Sequence, residues 1–211
     1  MYLSDIQLHC MNRETARLLG DPYKLHAALM SGFPVDGTDA AQERVLFRQE
    51  PPMPGSPWVQ VIVQSQTKPD WGPLLERHPD AAHARRKAVE LAFQPGQRLR
   101  FRLRANPTVT RNGNRLGLVG EPDQRAWLEK RATGFGFALE GYQLIDEGLV
   151  GGYKKGNDGE VGKGWHRMSF RAVCYQGVLR VADADLLRET VSKGIGPAKG
   201  FGCGLLSLAR G

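Results

Sequence analysis

Apolar and polar positions alternate at the start of the chain, Tyr2-Leu3-Ser4-Asp5-Ile6-Gln7-Leu8, with the two-residue period of a half-buried strand. The period changes at Asp21-Pro22. Aspartate is a good N-cap, and proline is favoured at the first helical position because its missing N–H costs nothing there. A helix is therefore predicted from this point to about Ser31, stopping before Gly32 and Pro34. Leu25, Ala28, Leu29 and Gly32 fall on one side of it and form its core stripe. Two more strand-like runs, Arg44–Arg48 and Trp58–Gln64, flank a turn-rich connector containing Pro51, Pro52, Pro54, Gly55 and Pro57. A weak helical period then covers about His83 to Phe93.

Pro95-Gly96 punctuates the chain and marks a boundary. Beyond it the pattern predicts a strand from Leu99 to Asn106, a basic, glycine-containing loop from Thr110 to Gly117, and a helix opened by Pro122 that runs through Trp127, Leu128 and Arg131. Strands follow at Tyr142–Ile145 and Phe170–Val181, separated by a glycine- and lysine-rich stretch, Gly151–Gly159. A helix from Asp183 to Ser192, a glycine-rich loop and a last strand, Leu205–Leu208, complete the order. The first half opens a split βαβ unit, and the second half reads βαββαβ with no repeat of residues. The prediction is an α+β chain of two tandem ferredoxin-like (RRM-like) βαββαβ domains, residues 1–94 and 95–211.

Composition narrows the class. The chain has 211 residues, 41% hydrophobic and 24% charged, which are ordinary globular proportions. No run of 18 or more apolar residues is present, so no transmembrane helix and no membrane partner is expected. The N-terminus has no basic segment leading into an apolar one. Cys10, Cys174 and Cys203 are odd in number and far apart, which fits a reducing cytoplasm better than a disulfide framework. The formal charge of +7 is uneven. Residues 1–95 hold 10 Lys/Arg and 11 Asp/Glu, whereas residues 96–211 hold 19 and 11. A basic second half either faces a polyanion or only aids solubility, and the total leaves both readings open.

Three local patterns carry chemistry. In Arg98-Leu99-Arg100-Phe101-Arg102-Leu103-Arg104 the alternation puts four guanidinium groups on one face of a strand. Neighbours on that face lie about 6.6 Å apart, close to the spacing of successive phosphates. Four like charges in a row repel unless an anion lies over them, which favours phosphate binding over an idle solvated face. Tyr23 and His26, three apart on the first helix, share a side turned away from the core stripe, and could place a phenol and an imidazole around one phosphate. His9, His78, His83 and His166 have no such companion. No HxxxH or HExxH spacing exists, so neither a metal site nor any other cofactor is expected. The third pattern is Gly194–Gly204, with five glycines, including Gly194, Gly196, Gly200 and Gly202, beside Lys193 and Lys199. It fits neither a P-loop nor a dinucleotide fingerprint. Its glycines would let backbone N–H groups approach phosphates closely.

Four blocks together carry a resemblance: Met1-Tyr2-Leu3, Asp21-Pro22-Tyr23-Lys24-Leu25-His26, RLRFRLRANP at 98–107, and GIGPAKGFGCGLLSLA at 194–209. In order and spacing they resemble the CasE family, CRISPR-associated endoribonucleases of type I-E systems. The resemblance implies tandem ferredoxin-like domains that bind the CRISPR repeat hairpin and cut precursor RNA within each repeat. The product stays bound, and the protein joins the other subunits of a surveillance complex. Tyr23 and His26 match the family's active-site pair, and Lys154 and Lys155 fall where the family has a basic segment near the RNA. Ala27 and Ser31 stand where relatives can carry basic residues. The implied reaction is metal-independent attack by the RNA's own 2′-OH, giving a 2′,3′-cyclic phosphate (or 3′-phosphate) and a 5′-OH. The sheet faces carry no aromatic RNP1 signature, so base stacking there is not expected to dominate recognition. A non-catalytic RNA-binding module would explain the arginine strand, the charge asymmetry and the glycine loop equally well. It leaves the off-core Tyr23–His26 pair without a role.

Overall fold

A computed structural model describes residues 1–33, 44–155 and 165–210. Its first elements are β1 (Tyr2–His9), α1 (Arg13–Leu19), α2 (Pro22–Met30), β2 (Leu46–Gln49), β3 (Trp58–Ser65), α3 (Gly72–Arg77) and β4 (Ala82–Ala88). They form an antiparallel sheet in the order β2-β3-β1-β4, the strand order of a ferredoxin-like fold. The inward residues of the strands, among them Ile6, Leu8, Phe47, Val61, Val63 and Ala82, pack with Leu25 and Leu29 of α2 and Leu74 of α3. Gly32, just past α2, is a point of close approach. A Cβ there would lie 2.7 Å from the Trp71 ring, so only glycine lets the chain turn beneath that indole.

The remaining elements are β5 (Arg98–Ala105), β6 (Thr108–Arg111), β7 (Asn114–Gly117), α4 (Glu121–Ala132), β8 (Phe137–Lys155), β9 (Trp165–Val181), α5 (Ala184–Lys193) and β10 (Leu206–Arg210). The second sheet runs β10-β5-β9-β8, which repeats the strand order of the first. Leu99, Phe101 and Leu103 of β5, Trp127 and Leu128 of α4, Tyr175 and Leu179 of β9, and Leu187 and Val191 of α5 are all buried. The described chain divides into two compact units. Unit 1 is Met1–Val89 with the described part of Val150–Ser169 and Gly200–Gly202; unit 2 is Glu90–Leu149, Phe170–Lys199 and Cys203–Gly211, as far as described. Among the described residues no helix is long and apolar enough to cross a membrane.

The structure corrects three elements. The helix expected over His83–Phe93 is instead strand β4, paired with β1 from Leu8↔Ala82 to Tyr2↔Ala88. Ladder hydrogen bonds to an open sheet edge outweigh a weak helical propensity. The helix of that crossover is α3, whose start is marked by Pro73. The loop predicted over Thr110–Gly117 is mostly the hairpin β6–β7, with Asn112-Gly113 at its tip, both at positive φ, as a tight hairpin turn demands. Of the predicted 151–159 separator, Gly151–Lys155 continue β8, and 156–159 lie outside the described residues.

Candidate active site and nucleic-acid interface

Asp21 caps α2, its Oδ1 accepting the Tyr23 N–H at 3.0 Å, and its carboxylate lies 3.8 Å from Lys24 Nζ. With the helix fixed at this end and Leu25, Ala28 and Leu29 turned into the core, Tyr23 and His26 sit half-buried beside that stripe. Residues three apart on a helix have Cβ atoms about 5–6 Å apart, so the phenol and imidazole can serve one small group.

His26 has one ring neighbour and one glycine nearby among the described residues. Its ring stacks on Phe47 of β2, with centroids 5.9 Å apart and planes 15° apart. Gly200 is near its other edge, where an added Cβ would come within 3.7 Å of both Cδ2 and Nε2. Gly200 belongs to unit 1, so the two ends of the chain meet inside one compact body at this imidazole. Nδ1 is buried without a hydrogen-bond partner among the described residues. Burial lowers the pKa of His26 below the ordinary histidine value, because desolvation disfavours the charged ring. At neutral pH the imidazole is therefore mostly uncharged and able to accept a proton.

The glycine-rich segment is ordered by its own backbone. The Gly194 N–H donates to Thr190 O at 2.8 Å, Ile195 N–H to Gly204 O at 2.9 Å, and Gly204 N–H to Arg104 O at 2.7 Å. Gly196 has φ +79°, and a Cβ there would lie 3.2 Å from the Trp127 ring, so the position excludes side chains twice over. Gly202 also has positive φ, at 81°. Lys199 lies in the short 3-10 turn Lys199–Phe201, and Lys193 pairs with Glu189 at the end of α5. Lys154 and Lys155 are the last residues of β8, and their side chains lie outside the described set.

The arginine strand has the predicted alternation. Leu99, Phe101 and Leu103 are buried, and Arg98, Arg100, Arg102 and Arg104 share the other face. Their surroundings differ. Arg98 and Arg180 both bind Glu140, at 2.6 and 3.1 Å. Arg104, with its side chain only 14% exposed, binds Glu147 at 2.6 Å. Arg100 is exposed and makes no ion pair among the described residues. The repulsion expected along this strand is thus relieved in part by protein carboxylates. The hairpin β6–β7 holds Arg111 and Arg115, which sequence reasoning did not single out, exposed and without an ion pair among the described residues. The Asn112-Gly113 dipeptide was the signal that could have found that ribbon. Among the described residues no group of three or more His, Cys, Asp or Glu is placed to hold a metal ion.

A family model described as CRISPR associated protein matches residues 1–210. The chain is 36% identical to the CRISPR-associated endoribonuclease Cse3 of Thermus thermophilus, across 99% of this chain and 100% of that one. It belongs to the CasE/Cse3 family of CRISPR-associated proteins. The CRISPR system Cascade subunit CasE of Escherichia coli is also 36% identical, over 90% of this chain and 92% of that protein. A solved structure of CRISPR endoribonuclease Cse3 bound to 19 nt RNA superimposes with a TM-score of 0.85 at 35% identity and covers 100% of both chains. Membership accounts for the tandem ferredoxin-like architecture and for the four sequence blocks.

Proposed function

We propose that this CasE/Cse3-family chain is an endoribonuclease that binds the CRISPR repeat hairpin, cuts precursor CRISPR RNA and keeps the product as a subunit of the surveillance complex. The observation that carries the reading is His26, an uncharged imidazole stacked on Phe47 with Gly200 near its Cδ2–Nε2 edge, and with Tyr23 one turn away. A plain RNA-binding module has no use for a neutral, half-buried histidine at a glycine-loop contact.

The chemistry requires only proton transfer, because the RNA supplies the nucleophile. His26 takes the proton of the 2′-OH, the 2′-oxygen attacks the adjacent phosphorus, and the bond from phosphorus to the 5′-oxygen breaks. Tyr23 donates a proton to the departing 5′-oxygen, and the resulting imidazolium and phenolate neutralise each other through solvent. The products are a 2′,3′-cyclic phosphate and a 5′-OH, and neither metal nor water is consumed. General acid–base groups of this kind contribute about 10²–10⁴-fold. The domain comprising residues 1–94 supplies the catalytic helix. Residues 95–211 grip the hairpin backbone through Arg98, Arg100, Arg102 and Arg104, the exposed Arg100 foremost and the carboxylate-paired Arg98 and Arg104 in lesser parts. Lys154, Lys155, Lys193 and Lys199 and the amides of Gly194–Gly202 add to that grip. Single-turnover cleavage of the repeat RNA across pH tests the reading. The rate should climb through an apparent pKa below about 6.5 and then level off, and the ends should be cyclic phosphate and 5′-OH. A rate that falls as His26 deprotonates would assign it the opposite role.

A further inference from the structure

Three rings that are far apart in sequence meet on the unit 1 sheet. His9, at the end of β1, stands edge-on to Trp58, with centroids 4.9 Å apart and planes at 86°. His83, near the start of β4, lies over Trp58 at 4.6 Å and 40°. The strand order β3-β1-β4 places Trp58 and His83 on either side of β1, so the rings roof over its end. Because Ile6, Leu8, Val59, Val61 and Ala82 point to the helices, alternation puts these rings on the opposite face.

The same face is basic along its outer edge. Strand β4 reads Ala-His-Ala-Arg-Arg-Lys-Ala without an acidic residue, and His83, Arg85 and Lys87 alternate outward, all exposed. At strand spacing these three side chains lie about 6.6 Å apart, close to the phosphate repeat of an extended strand. The acid facing them is Asp5. Its carboxylate already accepts hydrogen bonds from Gln7, Gln60 and Arg85, each at 2.9 Å. A stacked ring at the head of a row of cations has the chemistry of a single-stranded nucleic-acid platform, in which aromatic faces take bases and the cations follow the backbone.

We infer that this face binds an unpaired stretch of the RNA, one base stacking on the exposed ring of His83 backed by Trp58, with the backbone running along Arg85 and Lys87. The inference rests on the RNA-binding reading above and adds to it a second contact region, for nucleotides outside the hairpin. The test compares two RNAs, the bare repeat hairpin and the same hairpin with a short unpaired extension, each bound to the full chain and followed by fluorescence anisotropy. The extension should tighten binding to the wild type. His83→Ala should remove that gain, weakening the extended RNA about tenfold while leaving the bare hairpin unchanged, and His83→Phe should restore it because a ring is retained. An extension that adds the same affinity to His83→Ala as to the wild type overturns the inference, as does one that adds nothing to the wild type. The latter result is the one expected if the face docks a protein subunit instead. Failure of the wild type to bind even the bare hairpin would overturn the parent reading as well.

Discussion

His26 is where sequence and environment combine most closely. Its place near Tyr23 on one helix is legible from their three-residue spacing. The nearness of Phe47 and Gly200 to the ring is not, since one lies on β2 and the other far along the chain. His26→Ala should cut single-turnover cleavage by about 10²–10⁴-fold with hairpin affinity nearly unchanged, because one half-buried imidazole supplies little of the binding. Wild-type rates in that variant would remove His26 from the chemistry. The buried ring also leaves a mark on stability. Its folded pKa is lowered by burial, so below about pH 6.5 the unfolded chain takes up a proton that the fold resists. The contribution is complete above that pH and is lost as pH falls toward the lowered folded value. Urea denaturation at about pH 7 and about pH 5.5 should therefore show a shallower acid loss in His26→Phe than in the wild type.

At the scale of the element, the arginine strand separates pattern from partner. Alternation in Arg98–Arg104 places four cations on one face of β5, and they do lie there. Which of them is available to a phosphate depends on Glu140 and Glu147 of β8, whose register no local pattern reveals. Arg100→Ala should lower hairpin affinity equally for matched and mismatched stems and reduce the slope of log K against log salt by about 0.7–0.9. Arg98→Ala, which loses a guanidinium already paired with a carboxylate, should change that slope less. An unchanged slope in Arg100→Ala would make this face ordinary solvated surface. Glycine positions are tested through stability. Gly196→Ala forces a side chain into the left-handed region and against Trp127, and should cost about 1–2 kcal/mol in chemical denaturation. The weak helical period after His83 was misleading because β1 offered an open edge to pair with, and edge pairing is a tertiary effect that local periodicity cannot register.

At the scale of the whole molecule, two copies of one βαββαβ plan differ in what they carry, residues 1–95 including Tyr23 and His26 and residues 96–211 holding most of the net positive charge. The charge asymmetry was readable from the sequence. The return of Gly200–Gly202 to unit 1, and the meeting of His9, Trp58 and His83, depend on chain folding over long separations. The central claim is that the RNA attacks itself while side chains only move protons. It is tested most directly by incubating the protein in EDTA with its repeat RNA, either unmodified or carrying a single 2′-deoxy nucleotide immediately 5′ of the scissile phosphate. The unmodified RNA should be cut at the wild-type rate, and the deoxy RNA should bind equally well and stay intact. Cleavage of the deoxy RNA, or loss of all cutting in EDTA, would mean that a metal-activated water and not the 2′-OH is the nucleophile.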